Sequence, residues 1–461
     1  VEDDSLLKKR AVSPPGFCAV FPAIGTFISV RLRFRHASPE TIRAYQTRMA
    51  LAQVRFAARR SVYFRELYSG MDLADFASLP TTNKAAMMER LGDYITIGLS
   101  KEEILDFCLE VERTRDFSRR LAGYTCVLST GTSGSKGVEI VSRKEELILK
   151  AAFLARFPFP ESAKLRAAFI LRVFSPGLKF AAFGHKVEYV DPLVPFPEMV
   201  RRIDGIGPNL ISGPPQVLKL LAAEKRAGRL RAAPLRIVSY GETLWPDVRA
   251  AIESAFACRV DEIYKCTEAA IAMPCRDGRL HVNEDLVLLE VLDAGGNPAR
   301  PGEPGARLLV TDLMKRSCPI IRYELNDIVT ISPEPCPCGS RFRVIESIRG
   351  RTDDTFWLPS AAGEGLLPVL PDFVARAVVA CLPEALEWCA VQEEVGLVRV
   401  TVETRHDGIS AVHAAALRER LSAAISASGC VPPYIVVETG PTGAGDFDRK
   451  FRRVRRSFAY P

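Results

Sequence analysis

No apolar run in the 461-residue sequence is long enough to cross a bilayer, and there is no internal repeat and no low-complexity tract. Those absences exclude a helical membrane span, a solenoid and a disordered linker. Outside the C-terminal end there is also no block of like charge. Lys and Arg number 62 against 55 Asp and Glu, a net charge of +7 spread along the chain, so a dedicated nucleic-acid surface is not indicated and a mildly basic surface suited to acidic partners is. Arg449, Lys450, Arg452, Arg453, Arg455 and Arg456 form the one dense cluster, which composition alone reads as a solvated basic tail.

The stretch Phe17–Val30 follows Lys8, Lys9 and Arg10 in the manner of a signal peptide. It contains Pro22 and Gly25, lacks a small-residue cleavage site and is too short to span a membrane. With Val1 in place of Met, residues 1–35 are read as a leader of no assigned function. Twelve cysteines at irregular spacing argue for a reducing compartment, the cytoplasm, where thiols sit in cores or hold metal.

A chain of this length exceeds one ordinary core, so two domains are expected, a large one over 36–350 and a small one over 351–461. Apolar spacing predicts a helix over Pro39–Arg60, then short helices through Ser61–Ile97. Strands at Tyr124–Leu128 and Val138–Val141 flank a Ser/Thr/Gly loop. Strand-like and helix-like pieces then alternate: Ala167–Val173, Leu210–Ile211, helix Pro215–Ala227, Leu235–Ser239, helix Trp245–Phe256 and Val260–Tyr264. That alternation predicts an α/β fold with ligands at the strand ends. A β-rich stretch follows at Leu286–Leu292, Ala306–Thr311 and Ile328–Ser332. Last comes a small α+β unit of Leu370–Cys381, Glu387–Gln392, Val395–Glu403, Ala411–Ser426 and Tyr434–Glu438.

The loop Ser129, Thr130, Gly131, Thr132, Ser133, Gly134, Ser135, Lys136, Gly137 is the first stretch with chemistry in it. Its glycines free backbone N–H groups, its hydroxyls add donors and Lys136 adds charge, a combination that suits a triphosphate. A Walker A loop needs Gly-Lys-Ser/Thr followed by a helix; here Gly137 and a strand follow Lys136. Taken alone, the loop also reads as a flexible linker.

This loop resembles the phosphate loop of the adenylate-forming superfamily of acyl-CoA synthetases, carrier-protein adenylation domains and luciferases. Five further segments resemble that family in the right order: Gly241-Glu242, Tyr264-Lys265-Cys266-Thr267-Glu268, Arg322–Asp327, Gly350–Asp354 and Lys450–Val454. Ser61–Lys84, Leu210–Pro215 and the small C-terminal unit resemble the phenylacetate-CoA ligase branch, which includes synthetases that place AMP on a coenzyme's phenolic hydroxyl.

The resemblance implies a large multi-lobed adenylation domain and a mobile C-terminal domain carrying a catalytic lysine. It implies that Ser129, Thr130, Gly131, Thr132, Ser133, Gly134 and Lys136 hold the phosphates of ATP. Glu268 would bind Mg²⁺ with help from Thr267. Gly241, Glu242, Tyr264, Tyr323, Asp327 and Arg351 would surround the nucleotide, with Asp327 on the ribose. Lys450 would approach the carboxylate and α-phosphate during attack. The implied reaction activates an aryl carboxylate and transfers it to the phosphopantetheine thiol of CoA or an acyl carrier protein. The alternatives are an adenylyltransferase acting on a hydroxyl and a non-catalytic nucleotide-binding module; Lys265, Asn326 and Arg449, which depart from the family pattern, motivate the latter. A side chain at Lys265 would cross the base pocket or reach a substrate carboxylate. Phe180, Phe183, Tyr240, Ala269, Ala270 and Ala272 would suit a flat aryl acid. His185 is read as a packing residue.

Cys275, His281, Cys336 and Cys338 make a good donor set for structural zinc, with Cys336-Pro337-Cys338-Gly339 as a knuckle. Some sixty residues separate the two pairs, so only the fold can bring them together. Members of the branch resemble this arrangement, which implies a structural Zn²⁺. Neither nucleic acid nor membrane is an expected partner.

Overall fold

A computed structural model of the chain describes residues 17–129, 137–157, 164–172, 180–182, 185–382, 385–404, 408–447 and 450–458, with backbone alone for 17–21 and 180–182. The helix Pro39–Arg60 forms over the expected span because its ends are written into it. Ser38 accepts the Thr41 N–H, a proline opens the first turn beside Glu40, and Arg59 and Arg60 close the last. Its buried face includes Ile42, Ala50, Val54 and Ala57. Arg322 ties the short helices after it to the body, donating to the carbonyls of Ala77 and Leu79 and pairing with Glu290 at 3.1 Å.

A ten-stranded sheet forms the centre. Its order is Asp327–Ile331, Val344–Arg351, Leu280–Val282, Ala270–Pro274, Val260–Lys265, Arg236–Tyr240, Leu210–Gly213, Arg166–Ile170, His185–Val190 and Phe180–Ala182. The five strands from Val260–Lys265 to His185–Val190 are parallel, and the flanking ones are antiparallel. Helices Phe196–Ile206, Pro215–Arg226 and Pro246–Phe256 cover the parallel part through Met199, Ile203, Leu218, Leu221, Val248 and Ile252. The hairpin Tyr124–Leu128/Val138–Ser142 stands apart as a two-stranded sheet. Its second strand runs straight into the helix Arg143–Arg156 through a capping box of Ser142 and Glu145.

The C-terminal unit has its own four-stranded sheet, ordered Tyr434–Thr439, Leu397–Glu403, Glu387–Glu394, Val454–Arg456. Helices Pro371–Cys381 and Ala411–Ala427 pack on it around Phe356, Leu358, Trp388, Val398 and Leu417. Gly350 lies where this unit begins. Its φ of +113° and a Cβ that would come within 2.8 Å of Pro371 Cγ leave room for glycine alone.

Three departures from the sequence reading have plain causes. The strand expected over Ala167–Val173 ends at Ile170, and Val173 lies outside the described residues. The strand expected from Val395 starts at Leu397, because Val395 and Gly396 make the hairpin turn. The basic cluster is not a solvated tail: Val454–Arg456 is an edge strand paired in parallel with Ala390–Gln392, and Arg453 is 1% exposed. Within the leader, Phe17–His36 is a helix packed on Arg143–Arg156. Among the described residues no helix is long and apolar enough to cross a membrane.

Candidate active site and metal cluster

The parallel strands deliver the site at their C-terminal ends, where α/β sheets gather ligands. After Val260–Lys265 the chain makes a turn closed by the Cys266 N–H on the Ala269 carbonyl (3.0 Å). This turn presents Thr267 and Glu268. Glu268 is buried, and Tyr323 Oη donates to its Oε1 at 3.0 Å. From behind, the buried ammonium of Lys315 donates to the carbonyls of Thr267 (3.0 Å) and Glu268 (2.8 Å). Burial opposes that charge, but Glu139 and Asp312 raise the Lys315 pKa above its ordinary value.

Asp327 is oriented from both sides. Tyr264 Oη donates to one carboxylate oxygen at 2.7 Å and Arg351 Nε to the other at 3.2 Å. Asp327 and Arg351 face each other in the register of neighbouring strands. Gly241, at φ +85°, turns the chain after Arg236–Tyr240 and sets Glu242 at the same opening. Lys450 arrives from the far end of the chain, just before the edge strand that returns to the small sheet. Ser129, Gly241, Glu242, Tyr264, Thr267, Glu268, Tyr323, Asp327, Arg351 and Lys450 all line one cavity of ≈ 560 Å³.

Burial governs the charges here. It pushes the Glu242 carboxyl up to about 7 against the opposing pull of Lys450. Burial, and then the neighbouring Arg351 guanidinium, hold Lys450 below its ordinary value, while Glu242 and Asp327 act the other way. Perturbed groups gathered in one cleft are the usual mark of a working site.

The base of the phosphate-type loop is pinned. Ser129 N–H donates to the Gly137 carbonyl and Gly137 N–H to Ser129 Oγ, both at 2.7 Å. Thr130, Gly131, Thr132, Ser133, Gly134 and Lys136 lie outside the described residues, as do Arg449 and Phe183.

A second cavity of ≈ 360 Å³ adjoins the first, and Ser129, Gly241, Glu242, Lys265, Thr267 and Lys450 line both. Its walls include Val141, Phe153, Phe169, Tyr240, Ala269, Ala270 and Met273. Ala272, expected here, is buried in the core instead, while its strand neighbour Met273, whose side chain faces the other side of the sheet, lines the cavity. The Phe180 side chain lies outside the description. His185 Nδ1 accepts the Leu165 N–H at 3.0 Å, as expected of a packing residue.

Sequence reasoning missed Glu139, Glu262 and Lys315. Glu139 and Glu262 stand in strands just outside the motifs at Ser129–Gly137 and Tyr264–Glu268, and Lys315 in a turn with no motif of its own, so their placement in the cavities becomes visible only in three dimensions.

The fold also brings the two halves of the Cys/His set together. Cys275 and His281 lie on either side of one antiparallel strand connection, and the Cys336–Cys338 knuckle folds back onto them. All four donor atoms lie within 4.8 Å of one another, with Cys275 Sγ 3.7 Å from Cys336 Sγ and Cys338 Sγ 3.4 Å from His281 Nε2. His281 Nδ1 lies 2.9 Å from the Phe342 carbonyl, which fixes the ring with Nε2 toward the sulfurs. Burial holds the imidazole down to about 4, in its neutral, ligating form. Four N/S donors at tetrahedral-edge distances, three of them buried and Cys338 half-buried, fit a zinc ion. Phe34 of the N-terminal helix covers the cluster edge-on, its ring centroid 5.1 Å from that of His281.

The overall fold is similar to that of 2-hydroxyisobutyryl-CoA ligase. In that enzyme's postadenylation state the TM-score is 0.69 at 18% identity, covering 92% of this chain and 91% of the other. In its thioesterification state the TM-score is 0.57 at 17% identity, covering 92% of each. The architecture is therefore shared with that enzyme, a large α/β body with a small C-terminal α/β unit. No protein-family model matches the chain. In sequence, phenylacetate-coenzyme A ligase of Thermus thermophilus is 28% identical over 193 residues, 40% of this chain and 42% of that enzyme. The Aromatoleum evansii enzyme of the same name is 26% identical over 166 residues, 34% and 37% respectively. The matched segments thus span about two fifths of the length of these curated relatives. The chain is thus similar in sequence to the phenylacetate-CoA ligases over part of its length and shares the fold of 2-hydroxyisobutyryl-CoA ligase.

Proposed function

We propose that the protein activates an aryl-type carboxylic acid with ATP, forming an acyl-adenylate and pyrophosphate, and passes the acyl group to the phosphopantetheine thiol of CoA or a carrier protein. The observation that carries this reading is the meeting of the two cavities at Lys450: the polar one collects Glu268, Asp327 and Arg351, and the other is walled by flat and aliphatic side chains.

In this reading the nucleotide occupies the polar cavity and Asp327, held by Tyr264 and Arg351, accepts from the ribose hydroxyls. The loop from Ser129 to Gly137 takes the phosphates. A Mg²⁺ held by Glu268, a hard oxygen donor whose carboxylate accepts only the Tyr323 hydroxyl among the described residues, would add positive charge at the phosphates. The acid lies in the apolar cavity with its carboxylate toward Lys450. One carboxylate oxygen attacks the α-phosphorus, pyrophosphate leaves, and Lys450 stabilises the charge that develops between them. No covalent enzyme intermediate is required, since positioning and charge suffice.

Residues 36–350 would form the large domain and 351–461 a small one that turns about Arg351–Asp354 to admit the thiol. The higher likeness to the postadenylation state of 2-hydroxyisobutyryl-CoA ligase than to its thioesterification state supports taking the present arrangement as the adenylating one. Cys275, His281, Cys336 and Cys338 would hold Zn²⁺ structurally, with no open position for chemistry.

Pyrophosphate release with ATP and Mg²⁺ across benzoic, hydroxybenzoic, phenylacetic and aliphatic acids tests the proposal. Release that requires one aryl acid and falls by about a hundred-fold or more in Lys450→Ala is the expected outcome. Nucleotide binding with no release from any acid would overturn it.

A further inference from the structure

The acid-binding cavity is not purely apolar. Its charged lining residues are largely matched: Glu146 accepts from Lys150 (2.9 Å) and Arg120 (2.5 Å), and Glu139 lies 3.4 Å from the Lys315 ammonium. Lys265 differs. It ends the central strand Val260–Lys265, lines both cavities and is exposed within them. No carboxylate lies within 4 Å of its ammonium among the described residues, and it donates no hydrogen bond there. Glu139 is near enough for Lys265 to be the leading charge that lowers its carboxyl against burial, yet that carboxylate is already engaged by Lys315.

An acid that fills the cavity expels the water that now solvates Lys265. A wholly apolar acid would leave a desolvated ammonium in a cavity whose lining includes Phe153, Phe169 and Met273, which is costly. An acid carrying a second oxygen acceptor on its body would satisfy that ammonium with a charge-assisted hydrogen bond.

Resting on the function proposed above, we infer that Lys265 is a specificity-determining residue and that the substrate acid bears a second oxygen function, a hydroxyl, keto or carboxylate group, that accepts from it. The reacting carboxylate belongs to Lys450 and the second acceptor to Lys265.

The test is kcat/KM for pyrophosphate release with matched pairs: benzoate against the isomeric hydroxybenzoates and benzenedicarboxylates, and phenylacetate against its ring-hydroxylated forms. These are run with the full chain and with Lys265→Met. In the unmodified protein at least one oxygen-substituted acid is expected to exceed its parent by about ten-fold or more, the scale on which a buried donor rejects a partner lacking its acceptor. In Lys265→Met that preference collapses from both sides: the substituted acid loses its charge-assisted hydrogen bond, and the parent acid, no longer burying an unpaired ammonium, gains kcat/KM. Parents that serve as well as every substituted acid in the unmodified protein would overturn the inference, whether or not the variant folds. So would an equal loss across parent and substituted acids in Lys265→Met, which would place Lys265 on the reacting carboxylate or the nucleotide. Silence with every acid is a different result and would overturn the underlying activity.

Discussion

Lys450 is held in place by an ionic latch three residues further on, and Asp247→Ala is the perturbation that opens it. The Arg453 guanidinium, 1% exposed, donates through Nη1 to both oxygens of Asp247 (2.9 Å each) and through Nε to Glu387 (2.7 Å). Glu387 in turn accepts from Lys219 (2.8 Å) and Gln216 (3.3 Å). Asp247, Lys219 and Gln216 stand on helices of the large body, while Glu387 and Arg453 belong to the C-terminal unit. Removing Asp247 leaves Arg453 paired with Glu387, so the loss is confined to one charge-assisted contact across the interface. That is worth about 1.5–3 kcal/mol, which corresponds to about a 10- to 150-fold fall in the population that presents Lys450. Acid-dependent pyrophosphate release should fall by that factor. Thioester formation from a pre-made acyl-adenylate, measured on the same preparation, should be unchanged or faster. If adenylation is unaffected, or both half-reactions fall together, the latch reasoning is wrong.

Three further outcomes follow from buried groups. Arg156 and Asp285, 2% and 0% exposed, pair beneath Phe34 and Phe342. Arg156→Met should lower stability by about 3–5 kcal/mol in urea unfolding by leaving a buried carboxylate alone, and adding Asp285→Asn should recover much of it. Metal analysis of protein purified without chelator should find close to one zinc per chain, and Cys336→Ser should lower both zinc content and Tm; less than about a tenth of an equivalent would end the zinc assignment. The Glu262 carboxyl is pushed up to about 7 by burial, with Arg249 opposing. The native state therefore binds more protons than the unfolded chain between the ordinary carboxyl range and pH 7, and stability falls as pH rises through that window. Glu262→Gln should remove that fall, raising stability at pH 8 by about 1–3 kcal/mol relative to the parent with little change at pH 4; equal effects at both pH values would contradict it.

The parts of this fold that were legible in the sequence are those with local causes. Pro39–Arg60 carries its own caps, and Tyr124–Leu128 is a short apolar run between Gly123 and the Ser/Thr/Gly loop, so both lie where the local sequence puts them. The strand ends bearing Gly241, Thr267–Glu268 and Asp327 were legible through their motifs. The Cys/His set was legible as chemistry but not as geometry, since the antiparallel pairing of Leu280–Val282 and the return of the knuckle are long-range events. The reading failed where a long-range partner decides the outcome. Arg453 looks like one more exposed cation until Asp247 and Glu387, 206 and 66 residues away, bury it. Lys315 has no motif, yet it braces the turn that presents Glu268.

The central claim is that a carboxylate oxygen bonds to the α-phosphorus of ATP. The most direct measurement supplies an accepted aryl acid labelled with oxygen-18 in both carboxylate positions, together with ATP, Mg²⁺ and CoA, and determines the mass of the AMP released. Transfer through an acyl-adenylate leaves one oxygen-18 atom in AMP for each thioester formed. Unlabelled AMP, or AMP retained on a hydroxyl of the acid, would contradict the account.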